Sequence, residues 1–174
     1  MLAYLFVALA VAIRFIPHPW QFTPVAASLL FFGARGPRRM LWLPIVALAA
    51  SDLALNRFVY AYPFGWDQAV IWVWYAAILW LGTGLRENAK PLPIVGAAVG
   101  SSISFFVVSN FMVWAAGTMY PMTWAGLATC YDAGVPFFRH TLEGDLLFTC
   151  AMFATPVMLH AVAAVLGKHH AAAA

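Results

Sequence analysis

Hydrophobic residues along this chain fall into runs separated by short polar breaks. Six runs stand out: Leu2 to Ile16, Phe22 to Gly33, Met40 to Leu55, Gln68 to Gly84, Leu92 to Ala116 and Gly144 to Gly167. About 20 apolar residues, within a range of roughly 17 to 25, cross the hydrocarbon core of a bilayer as a helix. The pattern therefore predicts an all-α integral membrane protein with six transmembrane helices, the second one short. That second run would rise only about 18 Å. It either spans where the protein is thin or enters as a re-entrant piece buried among its neighbours.

The breaks carry the polar chemistry. The first run ends in "RFIPHPWQFTP", residues 14 to 24, which holds Arg14, His18, Gln21 and Thr23 among three prolines. Pro17 stops the first helix and disfavours a helical Ile16. His18 and Gln21 then sit on non-helical backbone at membrane depth, which is tolerated only against protein or a wet cavity. The stretch reads as the lip of a binding cavity. Between the fifth and sixth runs lies "GTMYPMTWAGLATCYDAGVPFFRHTLE", residues 117 to 143. It is too apolar for a solvated loop and too long for an ordinary connection in a compact domain, so it is expected to form a lid or plug.

Composition agrees with a membrane location. Of 174 residues, 64% are hydrophobic and 9% charged, against about 25% charged in a soluble domain. The mean hydropathy is +0.85. A formal net charge of +3 with no basic, aromatic-interleaved stripe gives no sign of nucleic-acid binding. The two cysteines, Cys130 and Cys150, are no disulfide framework, and no metal-ligand spacing such as CxxC or HExxH occurs. The first run lacks a basic leader and a small-residue cleavage site, so it reads as a retained helix. One transmembrane domain over residues 1–168 is expected, followed by a short tail at 169–174.

With both termini inside, the inner segments hold Arg35, Arg38, Arg39, Arg86, Lys90 and Lys168, and the outer ones only Arg57 and Arg139. This is the asymmetry of cytoplasmic loops and supports an even number of crossings. The acidic residues Asp67, Asp132, Glu143 and Asp145 fall on or near the outer side, where Trp20, Tyr60, Tyr62, Trp66, Trp114, Tyr120, Trp124 and Tyr131 also gather. An interfacial aromatic belt accounts for part of that crowding.

On this topology the awkward side chains share one level: Arg14, His18, Gln21 and Thr23; Asp52, Asn56 and Arg57; Ser109, Asn110 and Trp114; and Asp145 with Thr149. A buried Asp or Arg costs about 2.5 to 3.5 kcal/mol at the bilayer centre even on lenient scales, so such residues face protein or water and pair. Arg14 has Asp52 or Asp145 as partner, or else snorkels to the headgroups. Asp52 could equally pair with Arg57, His18 could serve only a loop hydrogen bond, and Asn110 could simply bridge helices. His160, far along the sixth run, is expected to pack between helices, and Cys150 to fill core space. Aromatic walls are expected from Trp114, Tyr120, Trp124 and Phe138, with Tyr131 nearby. "GAAVG", Gly96 to Gly100, permits close helix approach, and Ala8 and Ala12, one turn apart, make a smooth face.

The stretches "RFIPHPWQFTPVAASLLFFGA" (14–34), "SD" (51–52) and "SNFMVWAAGTMYPMTWAGLATCYDAGVPFFRHTLEGDLLF" (109–148) resemble an uncharacterised bacterial membrane family. That family is similar to the substrate-binding S components of energy-coupling-factor (ECF) vitamin transporters. The resemblance implies six helices with cytoplasmic termini in the inner membrane and capture of a small nutrient, a vitamin or its precursor, on the outer face. It also implies docking through small residues of the first helix, here Ala8 and Ala12, onto a transmembrane coupling protein driven by ATPases. No phosphate-binding GxxxxGK[ST] motif is present in the chain itself.

The sequence thus favours a non-enzymatic subunit that binds a solute through Arg14, His18, Gln21, Thr23, Asp52, Asn110, Trp114, Tyr120, Tyr131, Phe138 and Asp145, without cofactor or metal. An accessory subunit holding haem or a chlorin is the alternative, but no two histidines share a depth on adjacent helices. An intramembrane enzyme using Cys130 or His140 with Asp145 lacks a Gly-flanked nucleophile.

Overall fold

The computed structural model describes residues 1–17, 22–61, 65–87 and 89–172, with side chains through residue 166. Among the described residues every regular element is helical: α1 (Leu2–Ile13), α2 (Val25–Arg35), α3 (Trp42–Leu55), α4 (Trp66–Thr83), α5 (Pro91–Ala115) and α6 (Trp124–Ala172). A single 3-10 turn, Arg38–Met40, leads into α3, and a π-turn, Asn56–Tyr60, extends it. Three stretches are long and apolar enough to cross a membrane: Arg38–Tyr60, Pro91–Ala115 and Trp124–Leu166. α1 and α2 are shorter apolar helices. α4 carries Asp67, Gln68 and four tryptophans along its 18 residues.

Helix α1 stops three residues before the expected Ile16. The amides of Phe15 and Ile16 turn back to Ala12 and Ile13, each at 3.1 Å. These are tight i to i−3 bonds that close the last turn ahead of Pro17.

Helix α2 is the centre of the bundle. All ten residues from Val25 to Ala34 are buried, so the second run has no lipid-facing side at all. It is a core helix enclosed by α1, α4, α5 and α6. Tyr4 and Phe6 of α1 meet Phe32 and Phe31 edge-on at 5.3 and 4.9 Å, and Phe31 also meets Phe153 of α6 at 5.2 Å. Such edge-to-face pairs add to the area they bury.

The closest helix approach lies between α2 and α4. A Cβ on Gly33 would collide with the Leu79 carbonyl and stand 2.8 Å from Gly82 Cα, while one on Gly82 would stand 2.9 Å from Leu30 Cα. Gly96 and Gly100 were the expected contact, but a Cβ at either meets nothing within 4 Å. Both are exposed and hold no neighbouring helix. The Gly96–Gly100 expectation is therefore corrected: close approach needs small residues on both partners, as Gly33 of α2 and Gly82 of α4 supply.

Helices α5 and α6 run antiparallel. Tyr131 Oη donates to the Val107 carbonyl at 2.8 Å, Phe106 packs on Phe138 at 5.0 Å, and Ser102 meets Asp145. Residues 116–123 join them, with Gly117 in the left-handed region at φ 66° and Trp114 Nε1 donating to the Pro121 carbonyl at 3.0 Å. The expected lid over 117–143 is therefore corrected. Thr123 Oγ1 accepts from the Gly126 amide at 3.1 Å and starts α6 at Trp124. From there the helix continues through Pro136. The Asn110 side chain fills the space that a Cβ on Gly134 would take, so the segment lies along α5 instead of folding over a cavity.

At 49 residues, α6 rises about 73 Å, well beyond an apolar core of about 30 Å. Its far part, residues 157–166, is exposed throughout. His160, expected to pack between helices, and Cys150, expected in the core, are both exposed.

One end of the bundle is basic: Arg35 ends α2, Arg38 and Arg39 precede α3, Arg86 follows α4 and Lys90 precedes α5, and the Gly36 carbonyl accepts from Arg86 Nη2 at 2.8 Å. The other end is where α1 stops at Ile13 and α2 begins at Val25. The remaining helices continue past that level.

The Gly33–Gly82 contact predicts a clear contrast. Gly33→Ala or Gly82→Ala overpacks the centre and destabilises by about 1 to 3 kcal/mol, seen as a lower Tm of the detergent-solubilised protein. Gly96→Ala leaves the Tm unchanged or slightly raised.

Candidate functional site

Because α1 and α2 end early, they form the floor of a cavity whose walls are α3, α4, α5 and α6. The volume is about 710 Å3, and it is lined by Arg14, Thr23, Asp52, Trp74, Tyr75, Phe105, Thr141 and Asp145 among others. Small-molecule sites typically occupy about 300 to 1,000 Å3 and combine apolar walls with a few placed polar groups. Val59 and Tyr60 of the π-turn reach the rim. Ala61 closes that turn at φ 51°, with its amide on the Asn56 carbonyl.

The ion pair at the floor joins α1 to α3. Arg14 caps the carboxyl end of α1, and its Nη2 meets Asp52 Oδ1. Its Nη1 donates to Ser51 Oγ and, at 3.4 Å, to the Leu48 carbonyl. The two charged side chains are 15% and 11% exposed, so the pair is half-buried, screened from most solvent but still open to the cavity. Asp52 receives two further donors from one face of α4: Trp72 Nε1 at 3.0 Å and Tyr75 Oη at 3.3 Å. Residues three apart on a helix share a face, so Trp72 and Tyr75 reach the same carboxylate. Of the two candidate partners for Arg14, the structure selects Asp52. Neither snorkelling of Arg14 nor pairing of Asp52 with Arg57 occurs.

Asp145 stands apart from that network. It is buried within α6 and accepts from Ser102 Oγ of α5 at 2.7 Å. Thr141 lies one turn before it on the same face, with its hydroxyl donating to the Phe137 carbonyl at 3.0 Å. Aromatic surface comes from Trp74, Tyr75 and Phe105. The Trp74 and Phe105 rings lie 5.0 Å apart, and Trp74 Nε1 donates to Ser104 Oγ at 2.9 Å.

Arg14, Thr23, Asp52 and Asp145 of the expected site are thus brought together. Asn110, Tyr120 and Phe138 are not. They line a second hollow of about 410 Å3 between α5 and α6, with Ser109 and Cys130. Asn110 turns its amide back to the Phe106 carbonyl at 2.8 Å. Phe105 and Thr141 border both spaces. Trp114 and Tyr131 line neither, since their polar atoms tie down the α5–α6 hairpin. Trp124, expected as a wall, is 85% exposed at the start of α6. His18 and Gln21 lie outside the described residues, as do Trp20 and Tyr62. Ala8 and Ala12 are exposed on α1, opposite its buried face of Ala3, Phe6, Val7 and Ala10. No three His, Cys, Asp or Glu side chains converge for a metal among the described residues. Cys130 is buried, with its thiol donating to the Asn110 carbonyl at 3.3 Å.

Sequence reasoning missed Trp72, Trp74, Tyr75, Ser102 and Phe105. Two signals were present. "WVWY", residues 72–75, puts three large aromatics mid-helix, away from the helix ends where an interfacial belt belongs. Ser101, Ser102 and Ser104 interrupt an otherwise apolar α5.

Removing one member of a fully buried ion pair costs about 3 to 5 kcal/mol, more than replacing both, and the partial exposure of Arg14 and Asp52 lowers that figure. Arg14→Ala should therefore lower the Tm of the purified protein more than the double change Arg14→Met with Asp52→Asn. A double variant as unstable as Arg14→Ala would show that the ion pair contributes nothing beyond packing.

No curated protein matches the chain, and no solved structure matches it. Residues 1–166 match the model of a family of unknown function (DUF6580). The protein belongs to that family.

Proposed function

We propose that the protein is a membrane-embedded substrate-binding subunit that captures a small nutrient, of vitamin or precursor size, in the 710 Å3 cavity. In this reading the chain crosses a bacterial cytoplasmic membrane six times, with α2 crossing only in the shelter of its neighbours. Both termini are cytoplasmic and the cavity opens outward. An ECF-type coupling protein with its ATPases supplies the energy and docks on the Ala8–Ala12 face.

The cavity is the observation that carries the reading. It is built by six helices, has an apolar and aromatic wall, and gathers two carboxylates, an arginine and two threonines. Orientation of a bound solute is what such groups achieve. Three further features support the reading. The basic residues cluster at the end opposite the cavity, as cytoplasmic loops do. Non-helical backbone at Phe15 to Pro17 borders a hollow, where it is tolerated at membrane depth. Ala8 and Ala12 leave a smooth, exposed stripe on α1.

Native mass spectrometry of the gently extracted protein tests the reading. The expected spectrum shows the chain with a co-purified small molecule, and with a coupling subunit when the host's membranes supply one. Loss of the small molecule in a Trp74→Ala variant, whose ring borders this cavity and not the second hollow, would assign it to the cavity. A visible absorption band from bound haem or chlorin would instead support an accessory pigment-binding subunit. Reporter fusions test the topology: a fluorescent protein at either terminus should fold and fluoresce, while a periplasm-dependent reporter inserted after Gly117 should be active.

A further inference from the structure

We infer that the solute is cationic, held through a protonated amine set against the Asp145 carboxylate. This rests on the solute-capture reading and names its substrate class.

Among the described residues, the charges bordering the cavity are one arginine and two carboxylates. Two of the three are already matched. Arg14 and Asp52 form an ion pair, and Asp52 also accepts from Trp72 and Tyr75. Ser51 and the Leu48 carbonyl occupy the other arm of Arg14. Their opposite charges cancel, so the pair as a whole brings no net charge to a ligand.

Asp145 is different. Its residue is 3% exposed, yet it borders the cavity. One oxygen takes the Ser102 hydroxyl. Among the described residues no Lys, Arg or His lies within ion-pair distance of it. A carboxylate offers about four acceptor positions, and a buried one without a counter-charge is strongly disfavoured. An ammonium entering from the cavity would supply the missing charge. A carboxylate or phosphate entering would meet like charge, with Arg14 already engaged.

The rest of the wall suits an amine. Trp74, Tyr75 and Phe105 offer aromatic faces, which attract cations within about 6 Å and cover the apolar part of a ligand. The Thr141 hydroxyl, one turn from Asp145, keeps lone pairs to accept from an N–H. The start of α2 on the floor has no side-chain cap and presents about half a positive charge. That is less than the charge of an ionised carboxylate, and an entering ammonium would itself favour the ionised form of Asp145, so the local balance still favours a cation.

A charge series on one ring separates the cases: tryptamine, tryptophol and indole-3-propionate, titrated calorimetrically into the full chain in nanodiscs at neutral pH. Tryptamine should bind at least about tenfold more tightly than the neutral and acidic probes. Asp145→Asn should weaken tryptamine by about 30-fold or more, the loss expected when one member of a buried hydrogen-bonded charge pair is removed, and leave tryptophol unchanged. Equal binding of the three, binding of none, or a preference that survives in Asp145→Asn overturns the inference. The wild-type series alone decides it should Asp145→Asn fail to fold. A neutral or acidic small molecule in the native mass spectrum, with no amine preference in the series, removes the cation and leaves solute capture standing. Absence of any bound small molecule together with no probe affinity removes both.

Discussion

Arg14 and Asp52 bring opposite charges into an apolar body where neither is tolerated alone. Their pairing fixes the end of α1 against α3. The second pair of donors, Trp72 and Tyr75, then binds α4 to the same carboxylate. Three helices are pinned at a single point. That point is also the depth at which α1 stops and α2 starts, so the network defines where the packed core ends and the cavity begins. Attraction across a low-dielectric floor offsets the desolvation of both ions only because further hydrogen bonds satisfy the remaining lone pairs and N–H groups.

The length of α2 sets the size of the hollow. Eleven residues rise about 16 Å, roughly half the height of a bilayer core. Residues 25–34 are sealed on every side, and the Gly33–Gly82 approach leaves no slack between α2 and α4. The taller helices around α2 cannot collapse over it, because α5 and α6 are braced by Tyr131 to Val107 and Ser102 to Asp145. A short buried helix inside a tall ring necessarily leaves space at one end. The π-turn after α3 and the non-helical residues after α1 shape the mouth of that space.

Asp145 and the Arg14–Asp52 pair illustrate two fates for a carboxylate in an oily interior. One is neutralised by a cation from its own chain. The other is stabilised by a single hydroxyl and faces open volume. The first kind organises a fold, and the second leaves chemistry for something that arrives later.

Much of the architecture was legible in the sequence. Runs of apolar residues marked the six α-helices among the described residues and most of their limits, because hydrophobic length and the Pro17 break act locally. The polar residues Arg14, Thr23, Asp52 and Asp145 were identifiable as one set because the cost of burying charge leaves them few places to go. Tertiary structure alone decided the rest. The choice of Asp52 over Asp145 for Arg14 depends on which helix lies beside α1. The continuation of α6 through residues 124–143 depends on its packing along α5, where Asn110 takes the space beside Gly134. The separation of Asn110, Tyr120 and Phe138 into a second hollow follows from the same hairpin. The aromatic wall of Trp74, Tyr75 and Phe105 depends on the rotation of α4 and α5 about their axes. Hydrophobic runs without strong amphipathicity carry little record of that rotation, so the facing sides of these helices were fixed only by close packing around α2.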